Sequence, residues 1–198
     1  MEKFYFEIPS LKRKKEAIEF INEFYMFNSP INGVGGLHRY LDDYEGWLNK
    51  LEEDYKRIPD EEKVPARTYF FIREDEDEDR IIGMINIRLT LNKKLSKFGG
   101  HIGYGIRPTE RGHGYNKINL YLGLKVCNEY GIENVFMDAD LNNPASWKTM
   151  EALGGVRIRE YCDSEIYDST IVDYNIDVKK SLDTYKDIYE PYISKKCK

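Results

Sequence analysis

The apolar positions change period several times along the chain, and each change marks an element. Residues 3–8 (Lys-Phe-Tyr-Phe-Glu-Ile) read as a short strand that Pro9 stops. From Leu11 the period lengthens. Ala17, Phe20, Ile21, Phe24 and Phe27 recur at steps of three and four and share one helix face. Residues 28–36, with Pro30 and three glycines, form a loop. Leu37, Tyr40, Leu41, Tyr44, Leu48, Leu51, Tyr55 and Ile58 then predict a second helix, which Pro59 ends. Two helices joined by a glycine-rich loop suit a lid or the wall of a groove.

Beyond Pro59 the period drops towards two. Residues 67–73 predict an aromatic strand. Residues 74–79 are six consecutive acids, which no core accepts, and they predict a hairpin loop. Residues 81–91 give the clearest strand: Ile85, Ile87, Leu89 and Leu91 alternate with Asn86, Arg88, Thr90 and Asn92. A strand over 101–107 is closed by Pro108. A helix over 114–130 is apolar nearly all round, which predicts extensive burial. Gly131 stops it, and a strand follows at 134–139. Asn143-Pro144 predicts a helix start, with Asn capping free N–H groups and Pro in the first turn. That helix runs to Leu153 and ends at Gly154-Gly155. Strands at 156–161 and 170–178 precede a short helical tail. Strand, helix, strand over 101–139 is a βαβ unit, hence a parallel, right-handed crossover. The expected fold is α/β in the mixed α+β sense. Its central sheet is mixed but mostly antiparallel, with one parallel crossover and helices on both faces, in a single domain over 1–198.

Composition narrows the function. The 198 residues are 41% hydrophobic and 33% charged, a globular balance, and the net charge of -5 disfavours phosphate-backbone binding, so no nucleic-acid partner is expected. No run approaches a signal peptide or a membrane span, so no membrane partner is expected either. Cys127, Cys162 and Cys197 are scattered and odd in number; a disulfide framework or a cysteine metal site is not expected, and a reducing cytoplasm fits.

Candidate chemistry concentrates in residues 107–116, Arg-Pro-Thr-Glu-Arg-Gly-His-Gly-Tyr-Asn, between a strand and the helix after it. A glycine-rich turn at a helix start exposes backbone N–H groups, and the helix dipole adds positive charge there, which together suit a phosphate or diphosphate. The place is also the carboxyl end of a strand, where open α/β sheets bind ligands. Lys117 stands where a dinucleotide fingerprint needs its third glycine, and no Gly-Lys-Ser/Thr of a P-loop occurs. An anion site and an ordinary tight turn both remain open on this pattern.

Residues 100–108 (Gly-His-Ile-Gly-Tyr-Gly-Ile-Arg-Pro), 111–115 (Arg-Gly-His-Gly-Tyr), and Asn143 and Ser146 ahead of Glu151 and Gly154 resemble the GNAT N-acetyltransferase superfamily. Gly35-Gly36-Leu37, Val64-Pro65-Ala66 and residues 82–88 resemble one bacterial branch of it. The resemblance implies acetyl-CoA as co-substrate, no metal, and acetyl transfer to a primary amine by direct attack in a ternary complex. It implies that Tyr104, Gly105 and Ile106 pair with the pantetheine arm. It implies that the loop of Arg111, Gly112, His113, Gly114, Tyr115 and Asn116 holds the diphosphate, with Asn116 replacing the small residue of the family loop. Asn143 would contact CoA as well as cap its helix. The family's usual acid, a tyrosine, is replaced here by Met150. The alternative is an acyl-CoA-binding module with impaired catalysis.

Amide formation by this route needs a neutral amine, a base and an oxyanion donor. The backbone N–H of Ile106 is the expected oxyanion donor. Candidate bases are His101, at the start of the central strand, and Asp138 and Asp140, at the end of the neighbouring one; their structural alternatives are a strand-start histidine and solvated loop carboxylates. His113 either touches a CoA phosphate or faces solvent. Arg111 either neutralises phosphate or pairs with an acid. Cys127 is expected to pack, and His38 to sit on the surface of the second helix. The run 74–79 and the acids of that helix either steer a cationic amine or form solvated faces. Tyr40, Tyr44 and Trp47 either line an acceptor groove or join the core. The acceptor is an amine of open identity, and a homodimer is an open expectation.

Overall fold

A computed structural model of the chain describes residues 1–162 and 169–196. Cys197 lies outside the described residues. Among the described residues, seven strands form two antiparallel sheets. In the first, β1 (Lys3–Glu7), β2 (Ala66–Glu74), β3 (Arg80–Arg88) and β4 (Ile102–Ile106) lie in the order β1-β2-β3-β4. In the second, β5 (Asn134–Asp140), β6 (Val156–Cys162) and β7 (Thr170–Asp177) lie in the order β5-β7-β6.

The helices cover both faces of the first sheet. On one face, Ala17, Phe20, Ile21 and Phe24 of α1 (Lys14–Met26) and Tyr44 and Trp47 of α2 (Tyr44–Lys56) close over Phe70, Ile72 and Met84. The predicted second helix is shorter than its apolar pattern. Leu37–Arg39 form a separate 3-10 turn, and α2 starts only where the Asp43 carboxylate accepts the Gly46 N–H at 2.9 Å. On the other face, α3 (Tyr115–Glu129) buries most of its surface against Ile85, Ile87 and Ile102, α4 (Pro144–Glu151) packs Met150, and α5 (Val178–Tyr189) crosses α3. That core draws Phe4, Ile106, Val135, Met137 and Tyr174 from both sheets. The tail reaches β1: Ile193 bridges Phe4, and the Ser194 N–H bonds the Phe4 carbonyl at 2.8 Å.

The α/β architecture with helices on both faces is as expected, but the expected mixed central sheet with one parallel crossover is corrected: every strand ladder among the described residues is antiparallel, and the crossover strands lie in different sheets. Among the described residues, β4 and β5 share no ladder. They meet at one point, where the His101 N–H bonds the Phe136 carbonyl at 2.7 Å. The Phe136 N–H, which would continue a ladder, is taken by the imidazole Nδ1 of His101 at 3.1 Å. Gly100 makes this closeness attainable: its φ is +55°, and a Cβ there would lie 2.1 Å from the Phe136 carbonyl oxygen. Past this clasp the two strands part.

Candidate active site

The parting leaves a wedge. Strand β4 is one wall, β5 and α4 the other, and the start of α3 closes one end. Antiparallel pairing decides which backbone groups face it. Arg107 donates to Ile82 and Arg88 donates to His101, so residues 103, 105 and 107 turn their amides and carbonyls towards β3, whereas His101, just ahead of the strand, turns only its carbonyl there. Ile102, Tyr104 and Ile106 therefore turn theirs towards the wedge. Tyr104 and Ile106 stand as expected strand-edge groups. Gly105 does not, because its backbone is committed to β3. Its place is explained on the other face, where a Cβ would lie 2.9 Å from the Asn32 carbonyl oxygen.

At the end of the wedge the chain enters α3 through Gly112 (φ +87°) and Gly114 (φ +80°), both in open space. The first amide of this turn with a partner is that of Lys117, which bonds the Gly114 carbonyl at 3.1 Å. No acceptor among the described residues takes the N–H of Gly112, His113, Gly114, Tyr115 or Asn116. Five free amides at a helix start form a cradle for an anion. The side chains divide differently. His113 is exposed and stacks on Tyr115, whose ring is buried against Phe4 and whose hydroxyl donates to Glu2 at 2.7 Å. Tyr115 can thus offer a ligand only its backbone. Arg111 neither pairs with an acid nor points at the cradle. Its Nε donates to the Ile106 carbonyl at 3.1 Å, one NH2 donates to Ser29 at 2.8 Å, and its guanidinium lies over Phe24.

Of the three proposed bases, His101 is corrected. His101 is buried, and its Nδ1 lone pair already accepts the Phe136 N–H. Burial, and then the charge of Arg88, hold its pKa down at about 4, so it stays neutral. The remaining ring nitrogen then carries the proton, and no lone pair is left to take another. Asp138 accepts the Gly99 N–H at 2.7 Å, and Asp140 accepts the Asn142 N–H at 2.7 Å. Both carboxylates shape the turns at the ends of the wedge. Burial pushes the Cys127 thiol up to about 12, consistent with packing. Tyr44 and Trp47 are wholly buried core residues. Asn143 is also corrected: its side chain makes no cap bond to α4 and is exposed beside the wedge.

The acidic hairpin lies at the diphosphate end of the molecule. Arg73 links Asp75 (2.9 Å) to the buried Glu110 (2.7 Å) just ahead of the cradle, and Asp79 holds Tyr5 and Lys196. These ion pairs tie the run to its surroundings.

Two polar groups in the wedge escaped the sequence reading as site residues. Ser146 of α4 meets the Tyr104 hydroxyl, at 3.1 Å from its carbonyl oxygen and 3.2 Å from its Oγ. Asn119 is wholly buried in α3, with its Oδ1 unpartnered. An amide on an otherwise apolar helix face was the available signal.

The sequence model of the acetyltransferase (GNAT) family matches residues 36–154, more than half of the chain and all of the wedge. The chain belongs to the GNAT family. Solved GNAT structures superpose on it along nearly their whole length. Spermidine/spermine N-acetyltransferase SpeG from Vibrio cholerae is 16% identical, with 92% of this chain and 96% of that chain covered and a TM-score of 0.61. Microcin C7 self-immunity acetyltransferase MccE, solved with acetyl-CoA and AMP, is 14% identical, with 87% and 91% covered and a TM-score of 0.61. At these identities the likeness is one of fold. No curated protein matches the chain. Among the described residues of this GNAT protein, no helix is long and apolar enough to cross a membrane.

Proposed function

We propose that the protein is an N-acetyltransferase that moves the acetyl group of acetyl-CoA to a primary amine by direct attack in a ternary complex. The observation that carries this reading is the row of unpartnered amides from Gly112 to Asn116, set beside an open strand edge. The cradle suits the CoA diphosphate. The edge groups of Ile106 and Tyr104 suit the amides of the pantetheine arm, and the exposed Asn143 amide suits a contact from the far wall. Backbone donors already fixed by β4 need no rearrangement to stabilise an oxyanion, and the Ile106 N–H is one of them. An alkylammonium has a pKa of about 10.4 and no lone pair, so the amine must first shed a proton. With the His101 lone pair committed to the Phe136 N–H, that proton leaves through water. SpeG acts on spermidine and spermine by its name; for this chain the acceptor is a primary amine.

The test pairs calorimetric titration of CoA with amine-dependent thiol release from acetyl-CoA over spermidine, a lysine peptide and an N-terminal serine peptide. Binding together with amine-dependent release is expected. Binding without release on any amine would leave a CoA-binding module, and no binding would remove the site.

A further inference from the structure

The two glycines of the cradle have positive φ, and a Cβ on either would meet nothing within 4 Å, so packing does little to fix their amides. Their geometry depends on the 3-10 turn that feeds them, Pro108–Glu110. Helix α1 holds that turn through one side chain. Glu23 Oε1 accepts the Thr109 N–H at 2.8 Å and the Thr109 hydroxyl at 2.7 Å. Glu23 Oε2 accepts from the Arg107 guanidinium at 3.3 Å. The Arg107 side chain is 7% exposed, and its Nε and Nη2 have no partner among the described residues. Glu23 therefore anchors a buried cation and a backbone amide at once. The same end of the helix reaches the next residue, since Phe24 lies under the Arg111 guanidinium and Ser29 accepts from it.

We propose that Glu23 is a positioning residue for the cofactor: it clamps residues 107–109 so that the amides of Gly112 to Asn116 stay at the spacing a diphosphate requires. This rests on the diphosphate reading of the cradle above. A carboxylate near an anion site would ordinarily repel the guest. Here its charge is spent on Arg107 and Arg111, where it opposes the effect of burial on both guanidiniums. A turn fixed before the ligand arrives binds it without the cost of ordering the turn afterwards. The clamp acts on the diphosphate end of the carrier and not on the thioester. Its release should therefore weaken capture of the carrier and leave the transfer step alone.

The experiment reads wild type, Glu23→Gln, Thr109→Val and Thr109→Ser on acetyl-CoA and on S-acetylpantetheine, with the best amine of the panel. S-acetylpantetheine carries the same thioester and lacks the diphosphate. Gln keeps the size of Glu23 and one acceptor but gives up the charge. Val keeps the shape of Thr109 without its hydroxyl, and Ser restores the hydroxyl. KM for acetyl-CoA should rise about tenfold in Glu23→Gln and about threefold in Thr109→Val, with kcat within about twofold of wild type. Thr109→Ser should match wild type, and kcat/KM on S-acetylpantetheine should stay within about twofold in every variant. Equal losses on both carriers, or no loss on acetyl-CoA, overturn the proposal. If Glu23→Gln does not fold, the contrast between Thr109→Val and Thr109→Ser decides alone. Wild type is read first. No CoA binding, or no preference for acetyl-CoA over S-acetylpantetheine, overturns the cradle and the proposal with it. CoA binding without thiol release overturns acetyl transfer only, and the CoA dissociation constants of the same variants then decide, with the same shifts expected.

Discussion

His101 fastens the two sheets at the base of the wedge, and acid should undo it. The imidazole is held neutral by burial at a pKa of about 4, against 6.5 for a free histidine. A histidine whose folded pKa is depressed contributes stability that is fully present above pH 6.5 and is lost as pH falls towards the folded value. The 2.5-unit gap corresponds to about 3 kcal/mol at most, and about 2 kcal/mol is gone at pH 5. At 7% exposure, little solvent screening reduces this figure. The assay is urea unfolding of wild type and His101→Gln at pH 7.5, 6, 5 and 4.5. Gln has an acceptor for the Phe136 N–H and does not titrate. Wild type should be the more stable at pH 7.5, and its advantage should shrink by about 2 kcal/mol at pH 5. A stability difference constant across this range would refute the buried, neutral clasp. So would an NMR titration placing the His101 pKa near 6.5.

Two further substitutions probe the wedge. Gly114→Glu meets no protein atom, since the space around Gly114 is open. It should therefore cost only about 1–2 kcal/mol of stability for its positive φ, yet weaken CoA binding at least about 100-fold through charge conflict at the cradle; calorimetry on the folded variant checks both. Gly33→Ala places a Cβ 2.4 Å from the Tyr104 Cα and 2.5 Å from the Gly103 carbonyl oxygen, at φ +71°. Rigid backbone cannot yield cheaply, so a loss of more than about 2 kcal/mol in urea unfolding is expected, and an unchanged midpoint would show that the 31–36 loop does not rest on β4.

Periodicity located nearly every element, because apolar spacing reports which face is buried. The strand Arg80–Arg88 and the helix Tyr115–Glu129 lie within a few residues of their predicted bounds. Spacing did not show where Leu37 leaves the helical register, because a 3-10 turn and an α-helix bury neighbouring residues alike. Nor did it show that β4 and β5 separate: that depends on a side-chain nitrogen taking a backbone donor, a choice made only in three dimensions. The cradle was legible because glycines at a helix start have few other uses. The loss of His101 as a base was not, since an imidazole is chemically able to act and its lone pair is spent on the Phe136 N–H, which only the fold reveals.

The end of the described chain lies far in sequence from the wedge, but its charge does not. Ser194 bonds Glu74, and Lys196 sits 3.0 Å from Asp79, so the tail neutralises carboxylates of the hairpin that flanks the phosphate cradle. Trimming these few residues would uncover the outer backbone of Phe4 and leave a more repulsive approach for a polyanionic carrier, so that cofactor capture at one margin of the sheet depends on how firmly the opposite terminus is fastened.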